Sequence, residues 1–271
     1  MIDSGRSKEY TLSIRLSADG FCFSAHHPRR ADEFAFMPYE VNPSLPIPAN
    51  LKQAKESLQM LQPTYGRVQV LFVDEPWTLI PTELYASESG RALYEENFPQ
   101  TTERQQLVER RMPTGQTLLF TIDKSTQKWV DNFFPGAVMS HAMEPVLHYA
   151  LRAEADIFLC NLHEKALDIV CVRQGKLVFA NSFANDAVEN ATYYLLNVWQ
   201  TLGLSQTDDV LTLTGKGSAV RDLRSSLKRF VRHIEVLNPA TTFHASELAR
   251  IDSVPFDLQA LTGMAADNEA E

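Results

Sequence analysis

The sequence predicts an α/β protein of two duplicated halves, each running strand, strand, strand, helix, strand, helix, with mixed sheets. Three observations carry that reading. The first segment alternates with a period of two, Leu12, Ile14 and Leu16 apolar against Ser13, Arg15 and Ser17 polar, as a strand does. Helical stretches then alternate with short apolar strands, the pattern that closes parallel strand pairs. Matching strand starts also recur in the same order at an offset of about 145 residues, a duplicated unit larger than a solenoid repeat. The halves share element order and not residue identities. A meander followed by alternating helices and strands requires a sheet that is antiparallel on one side and parallel where helices cross over.

The elements follow from local chemistry. Asp19-Gly20 is a hairpin signal, and Phe21-Cys22-Phe23 resumes the alternation beyond it. A third short strand surrounds Phe34 and Phe36, and a connection rich in proline (Pro38, Pro43, Pro46, Pro48) leads to a helix beginning near Ala49-Asn50. Arg67–Asp74 reads as a buried strand, and Pro81–Tyr85 as the start of a helix with proline in its favoured first turn. The charged stretch Glu103–Arg111 reads as helical, and Thr117–Ile122 as another strand. In the second half Ala155–Leu162, Leu167–Arg173 and Lys176–Phe183 form a meander, followed by a long helix to Leu204 with Asn185 or Asp186 as its N-cap. Asp209–Thr214 is a buried strand, Gly215–Ser218 opens an amphipathic helix, and Arg232–Leu237 is the final strand.

At 271 residues, with 44% hydrophobic and 22% charged residues, the composition is that of a globular chain with a sizeable core. The formal charge of -9 repels phosphate backbones and anionic lipid, so nucleic acid is not an expected partner. No apolar run reaches the roughly 20 residues of a membrane span, and Met1–Tyr10 lacks the apolar core of a secretion signal. A cytoplasmic location is therefore expected. Cys22, Cys160 and Cys171 are odd in number and contain no Cys-x-x-Cys pair, so they read as buried reduced thiols. Cys160 and Cys171 lie almost symmetrically about the turn His163–Lys165, which places them as cross-strand neighbours.

The order of elements resembles the actin-like ATPase fold, a ribonuclease-H-like architecture in which two β-β-β-α-β-α units face each other across a nucleotide cleft. It also resembles an uncharacterised bacterial family sharing that fold. The resemblance divides the chain into a first half at 8–123, a second at 124–251 and an acidic C-terminal tail at 252–271 whose last seven residues are expected to be disordered. It implies ATP and Mg²⁺ as ligands, held by three motifs. The first is a hairpin with an acidic residue and glycine, matched by Asp19 and Gly20, although Ser13 and Arg15 replace the expected acidic and glycine pattern. The second belongs in the hairpin Asp156–Lys165, which has no glycine and whose bulky His163-Glu164-Lys165 turn obstructs a phosphate. The third is a glycine pair after a buried strand, matched by Gly215, Lys216, Gly217 and Ser218. The loss of the second motif implies a degenerate, non-hydrolysing binding or scaffold module, with another protein as partner. The alternative is an active ATPase or sugar-kinase-like phosphotransferase using the cleft between the halves, with Asp19 and Asp156 as carboxylates.

Other constellations are weaker. Arg221, Arg224 and Lys228 share one face of a helix opposite Leu223, Leu227 and Phe230, a basic stripe suited to an acidic partner or a solvated surface. His141, Glu144 and His148, and Cys22 with His26 and His27, fall short of metal-ligand patterns, so no metal site is expected. A nuclease would need clustered carboxylates, and Asp19, Asp74, Asp123 and Asp156 are spread over both halves. No nucleophile elbow or Walker A loop occurs, and no catalytic residue is assigned.

Overall fold

The computed structural model describes residues 4–163, 165–215, 217–243 and 246–270. The chain divides into two compact units, Met1–Glu144 and Pro145–Glu271.

In the first unit, β1 (Thr11–Ser17), β2 (Gly20–His27) and β3 (Arg30–Tyr39) form the predicted meander, followed by α1 (Ile47–Ser57) and β4 (Arg67–Phe72). The strand β1 pairs antiparallel with β2 and parallel with β4, Ile14 standing against both Phe23 and Val70. Its alternation separates two covered faces and not a dry face from a wet one. All seven residues are buried, Arg15 at 1% exposure. Sheets with crossovers on their faces bury strands on both sides, so the polar set Ser13, Arg15 and Ser17 marks a second interior.

After β4 the first unit departs from the expected order. Pro81 ends a strand, β5 (Trp77–Pro81), and α2 (Ser87–Asn97) begins six residues later than Pro81. The charged stretch expected to be helical is a strand, β6 (Gln105–Arg111), paired with β7 (Gln116–Asp123). These form a separate three-stranded sheet in the order β5-β7-β6. Only β7 carries an apolar run, and pairing along it holds the polar, half-exposed β6 in extended form against its own composition. Then α3 (Lys124–Phe133), capped by Asp123, and β8 (Val138–His141) complete the main sheet as β3-β2-β1-β4-β8. The last strand of this half is therefore β8 and not Thr117–Ile122.

The second unit opens, across the division inside α4 (Met143–Leu151), with β9 (Ile157–His163), β10 (Ala166–Arg173) and β11 (Lys176–Ala184). It continues through α5 (Val188–Thr201), β12 (Val210–Gly215), α6 (Gly217–Leu227) and β13 (His233–Val236). Its sheet order, β11-β10-β9-β12-β13, reproduces that of the first unit strand for strand. The duplication is thus present, with the small sheet inserted in the first copy. The helix α5 starts at Val188 without the side-chain cap expected from Asn185 or Asp186. One face of the sheet packs Phe158, Cys160, Leu211 and Leu213 with Leu195 and Trp199 of α5 and Leu223 and Leu227 of α6. Cys160 pairs with Ile169, and Cys171 with Phe158, so the two thiols are diagonal and not opposite as expected, because the hairpin is centred one residue off their midpoint. All three cysteines are buried and outside any disulfide, and burial pushes the Cys171 thiol up to about 11.

Beyond β13, the short helix α7 (Pro239–Thr242) and a 3-10 turn at Glu247–Arg250 lead to α8 (Phe256–Ala270). The backbone of α8 is helical through Ala270, and Glu271 lies outside the described residues. Val254, Phe256 and Leu258 anchor its start in the interior. Among the described residues no helix is long and apolar enough to cross a membrane.

Candidate functional site

The glycine pair after β12 opens onto a cavity of about 460 Å³ in the second unit. At Gly215 the backbone has φ +136, and a Cβ there would meet the Leu162 carbonyl oxygen at 2.2 Å. Close pairing with β9 therefore requires this glycine whatever the cavity holds. At Gly217 the backbone turns through φ +57 with open space where a side chain would stand. Replacing Gly215 with alanine combines a strained dihedral with a backbone clash and is expected to cost about 2–4 kcal/mol, read by urea unfolding of the second unit through Trp199.

From Gly217 the helix α6 runs with its N-terminal end at the cavity. The N–H groups of a first helical turn lack intrahelical partners and carry the positive end of the dipole, which favours anions. Arg221 and Arg224 from α6 and Arg250 from the 3-10 turn also line the cavity. Arg250 pairs with Glu247 at 2.6 Å; Arg221 and Arg224 project from the exposed side of the helix, and Arg224 Nη2 donates to the Ile234 carbonyl at 3.5 Å. Two of the three residues of the basic stripe thus share one cavity with the glycine pair, which the sequence alone does not bring together. Lys228 is exposed and does not line it. The far wall comes from Asn238, Pro239, Asp252, Phe256 and Gln259, beyond the last strand. Ser218 opens α6 on the exposed side, and Lys216 lies outside the described residues.

The first unit's matching hairpin differs in charge. Asp19 lines a cavity of about 500 Å³ together with Asp74 and Glu75. Gly20 begins β2, where a Cβ would stand 3.3 Å from the Tyr39 carbonyl oxygen. Asp74 accepts the Ala18 N–H at 2.5 Å and so ties the hairpin to the end of β4. Burial, with Asp74 and Asp123 nearby, pushes the Glu75 carboxyl up to about 7. Asp19 and Asp74 give this cavity an acidic lining that disfavours a phosphate, and Glu75 adds to it as it ionises. Because the folded value exceeds the ordinary 4.5, the folded state holds this proton more tightly, and the resulting stability is full below pH 4.5 and lost as pH rises through 7. Glu75→Gln is expected to flatten the fall in melting temperature between about pH 5 and pH 8, measured by calorimetric scans.

The remaining candidates have structural employment. Asp123 accepts N–H groups from Ser125 and Thr126 as the cap of α3, and Asp156 accepts the Gln174 N–H at 2.6 Å in the turn before β11. His141 uses both ring nitrogens, Nε2 on the Glu75 carbonyl at 2.9 Å and Nδ1 accepting the Met143 N–H at 3.0 Å. Glu144 takes a two-pronged grip from Arg110 at 2.8 and 2.9 Å. His26 is buried, which pulls its imidazole down to about 4, and His27 meets the Tyr10 ring edge-on. Among the described residues no three His, Cys, Asp or Glu side chains converge as metal ligands.

One polar cluster escaped the sequence reading. Asn161, Asp168 and Ser182 stand in register across β9, β10 and β11. Asp168, 5% exposed, accepts from Ser182 Oγ at 2.6 Å, His163 Nε2 at 2.7 Å and Asn161 Nδ2 at 3.1 Å. Burial alone would raise its carboxyl, but the charge of His163 and these three bonds hold it below the ordinary carboxylate value. The order is not that of a nucleophilic triad, since both Ser182 and His163 bond the carboxylate and not each other. The signal available in the sequence was a polar residue inside the apolar run of each of the first two strands, Asn161 and Asp168.

Comparison with known proteins agrees with this architecture. The family model described as "Protein of unknown function (DUF3822)" matches residues 2–234. A Bacteroides thetaiotaomicron protein with actin-like ATPase fold and unknown function is 32% identical, over 97% of this chain and 98% of that one, with a TM-score of 0.83. The PilM-PilN type IV pilus biogenesis complex contains a chain of the same fold, 14% identical over 95% of this chain and 98% of that one, with a TM-score of 0.58. No curated protein sequence matches.

Proposed function

The chain belongs to the family described as "Protein of unknown function (DUF3822)", and from that premise we propose that it is a non-hydrolysing binding module of the actin-like ATPase fold. Its second unit takes an anionic ligand of the nucleotide class, held by Gly215 at the end of β12, by Gly217 and Ser218 at the start of α6, and by Arg221 and Arg224. The observation that carries this reading is the shared cavity of the glycine pair and the two arginines in a chain of charge -9. Guanidinium groups and free helix N–H groups supply paired donors to a phosphoryl oxygen. Gly217 leaves the backbone bare where a ligand would pack.

Loss of hydrolysis is supported by what the other motifs have become. Asp156 and Asp74 each hold a backbone N–H in a turn. The end of β9 carries His163 in place of glycine, engaged with Asp168. Such a donor set does not suit hydrated Mg²⁺ beside phosphates, so we assign no catalytic step and take Asp19 and Gly20 as a hairpin turn at most peripheral to a ligand. The protein is taken to act in the cytoplasm, its three thiols reduced.

A second reading rests on Lys228, which extends the exposed stripe past the cavity. There the stripe docks an acidic protein surface, and the PilM-PilN complex offers a precedent for protein partners on this fold. The test of the main reading is phosphate release from ATP with Mg²⁺. Turnover is expected at the buffer rate in both wild type and Asp19→Ala; robust turnover that the substitution abolishes would establish the active-enzyme alternative.

A further inference from the structure

The arginine-lined cavity receives its basic groups from two elements. Arg221 and Arg224 come from α6, and Arg250 from the 3-10 turn Glu247–Arg250, beyond β13 and α7. Leu248 and Ala249, 1% and 4% exposed, anchor that turn in the interior. At its two ends Arg250 Nη1 meets Glu247 Oε1 at 2.6 Å. A 3-10 turn eclipses positions i and i+3, so this ion pair follows from the local backbone. Arg250 lines the cavity and Glu247 does not. With side chains 56% and 32% exposed, the pair is weakly held against water and salt.

Counting oxygens decides what a third arginine adds. Arg221, Arg224 and the first N–H groups of α6 already give each oxygen of one terminal phosphoryl group a donor. We propose that Arg250 is the contact for a second phosphoryl group, held in reserve by Glu247, so that the cavity selects nucleoside diphosphates and triphosphates over monophosphates. This inference rests on the anionic-ligand reading and names the class within it. Without ligand, Glu247 neutralises Arg250. A second phosphoryl group displaces that carboxylate, because the guanidinium fork matches phosphate oxygens as well as it matches a carboxylate and the phosphoryl group carries more charge. Asp252 also lines the cavity and repels an anionic group that passes beyond Arg250. A monophosphate fills the α6 side alone and leaves the ion pair closed.

The test is calorimetric titration of the full chain with ADP and AMP, for wild type, Arg250→Gln, Glu247→Gln and the double variant. ADP is expected to bind wild type at least about tenfold more tightly than AMP, since charge-assisted bonds are gained. Arg250→Gln should lower ADP affinity at least about fivefold and leave AMP affinity within about twofold of wild type. Glu247→Gln should raise ADP affinity about threefold in wild type and leave it unchanged in the Arg250→Gln background. Loss of a negative charge acting at a distance would raise affinity in both backgrounds. The ADP-to-AMP ratio of the wild type is a readout that needs no variant to fold. AMP and ADP bound alike, or a Glu247→Gln gain that survives Arg250→Gln, would overturn this inference alone. Binding of neither nucleotide would overturn the anionic-ligand reading and this inference with it.

Discussion

Asp168→Ala is expected to destabilise the second unit by about 3–5 kcal/mol, the cost of removing one partner from a buried charged pair. The carboxylate receives His163, Asn161 and Ser182 at once, so its loss removes the acceptor that all three share. Asp168→Asn keeps the shape, retains one acceptor oxygen and is expected to cost roughly half as much. Urea unfolding followed by Trp199, which packs edge-on against Phe158 at 5.0 Å in this unit, reads the effect. The pH dependence has a defined sign. A carboxyl held below its ordinary 3.8 contributes stability above that value and loses it as pH falls through the folded value. The gap between wild type and Asp168→Asn should therefore narrow as the solution is acidified. A variant as stable as wild type would mean that the row across β9, β10 and β11 is not a structural network.

Arg221→Glu combined with Arg224→Glu is expected to weaken binding of adenine nucleotide at least about 100-fold, since charge-assisted hydrogen bonds contribute about 1.5–3 kcal/mol each. Both side chains are exposed, so the melting temperature should hold, as surface changes away from special features usually stay within about 0.5 kcal/mol. Lys228→Glu supplies the control. It lies on the same stripe but outside the cavity lining, and should change nucleotide affinity by less than about twofold at physiological salt, where the Debye length is about 8 Å. If Lys228→Glu weakens binding as much as the arginine pair, the stripe acts as a general basic surface, as the acidic-partner reading holds.

The strands with continuous or alternating apolar residues were legible from the chain: β1, β2, β4 and all five of the second sheet follow the runs that predict them. What could not be read was the inserted sheet. Residues 105–111 carry no apolar alternation, and only pairing along Leu118, Leu119 and Phe120 makes them a strand. The strand β8 has four residues, too few for periodicity to declare itself. The burial of Arg15 was hidden for a related reason, because alternation reports two faces without saying that both are covered. At the site, Gly215, Gly217, Arg221 and Arg224 were each visible in the sequence, but their meeting depends on the turn at Gly217 and on a wall formed some twenty to forty residues later. Asn161, Asp168 and Ser182 become a unit only once the register of two hairpins is known.

The central claim, that the second unit binds an anionic ligand of the nucleotide class without consuming it, is tested most directly by calorimetric titration of the purified chain with ATP and ADP, with and without Mg²⁺. The account predicts saturable binding at micromolar strength that persists without Mg²⁺, because the donors are arginines and helix N–H groups and not a metal. Absence of binding at millimolar nucleotide would contradict it.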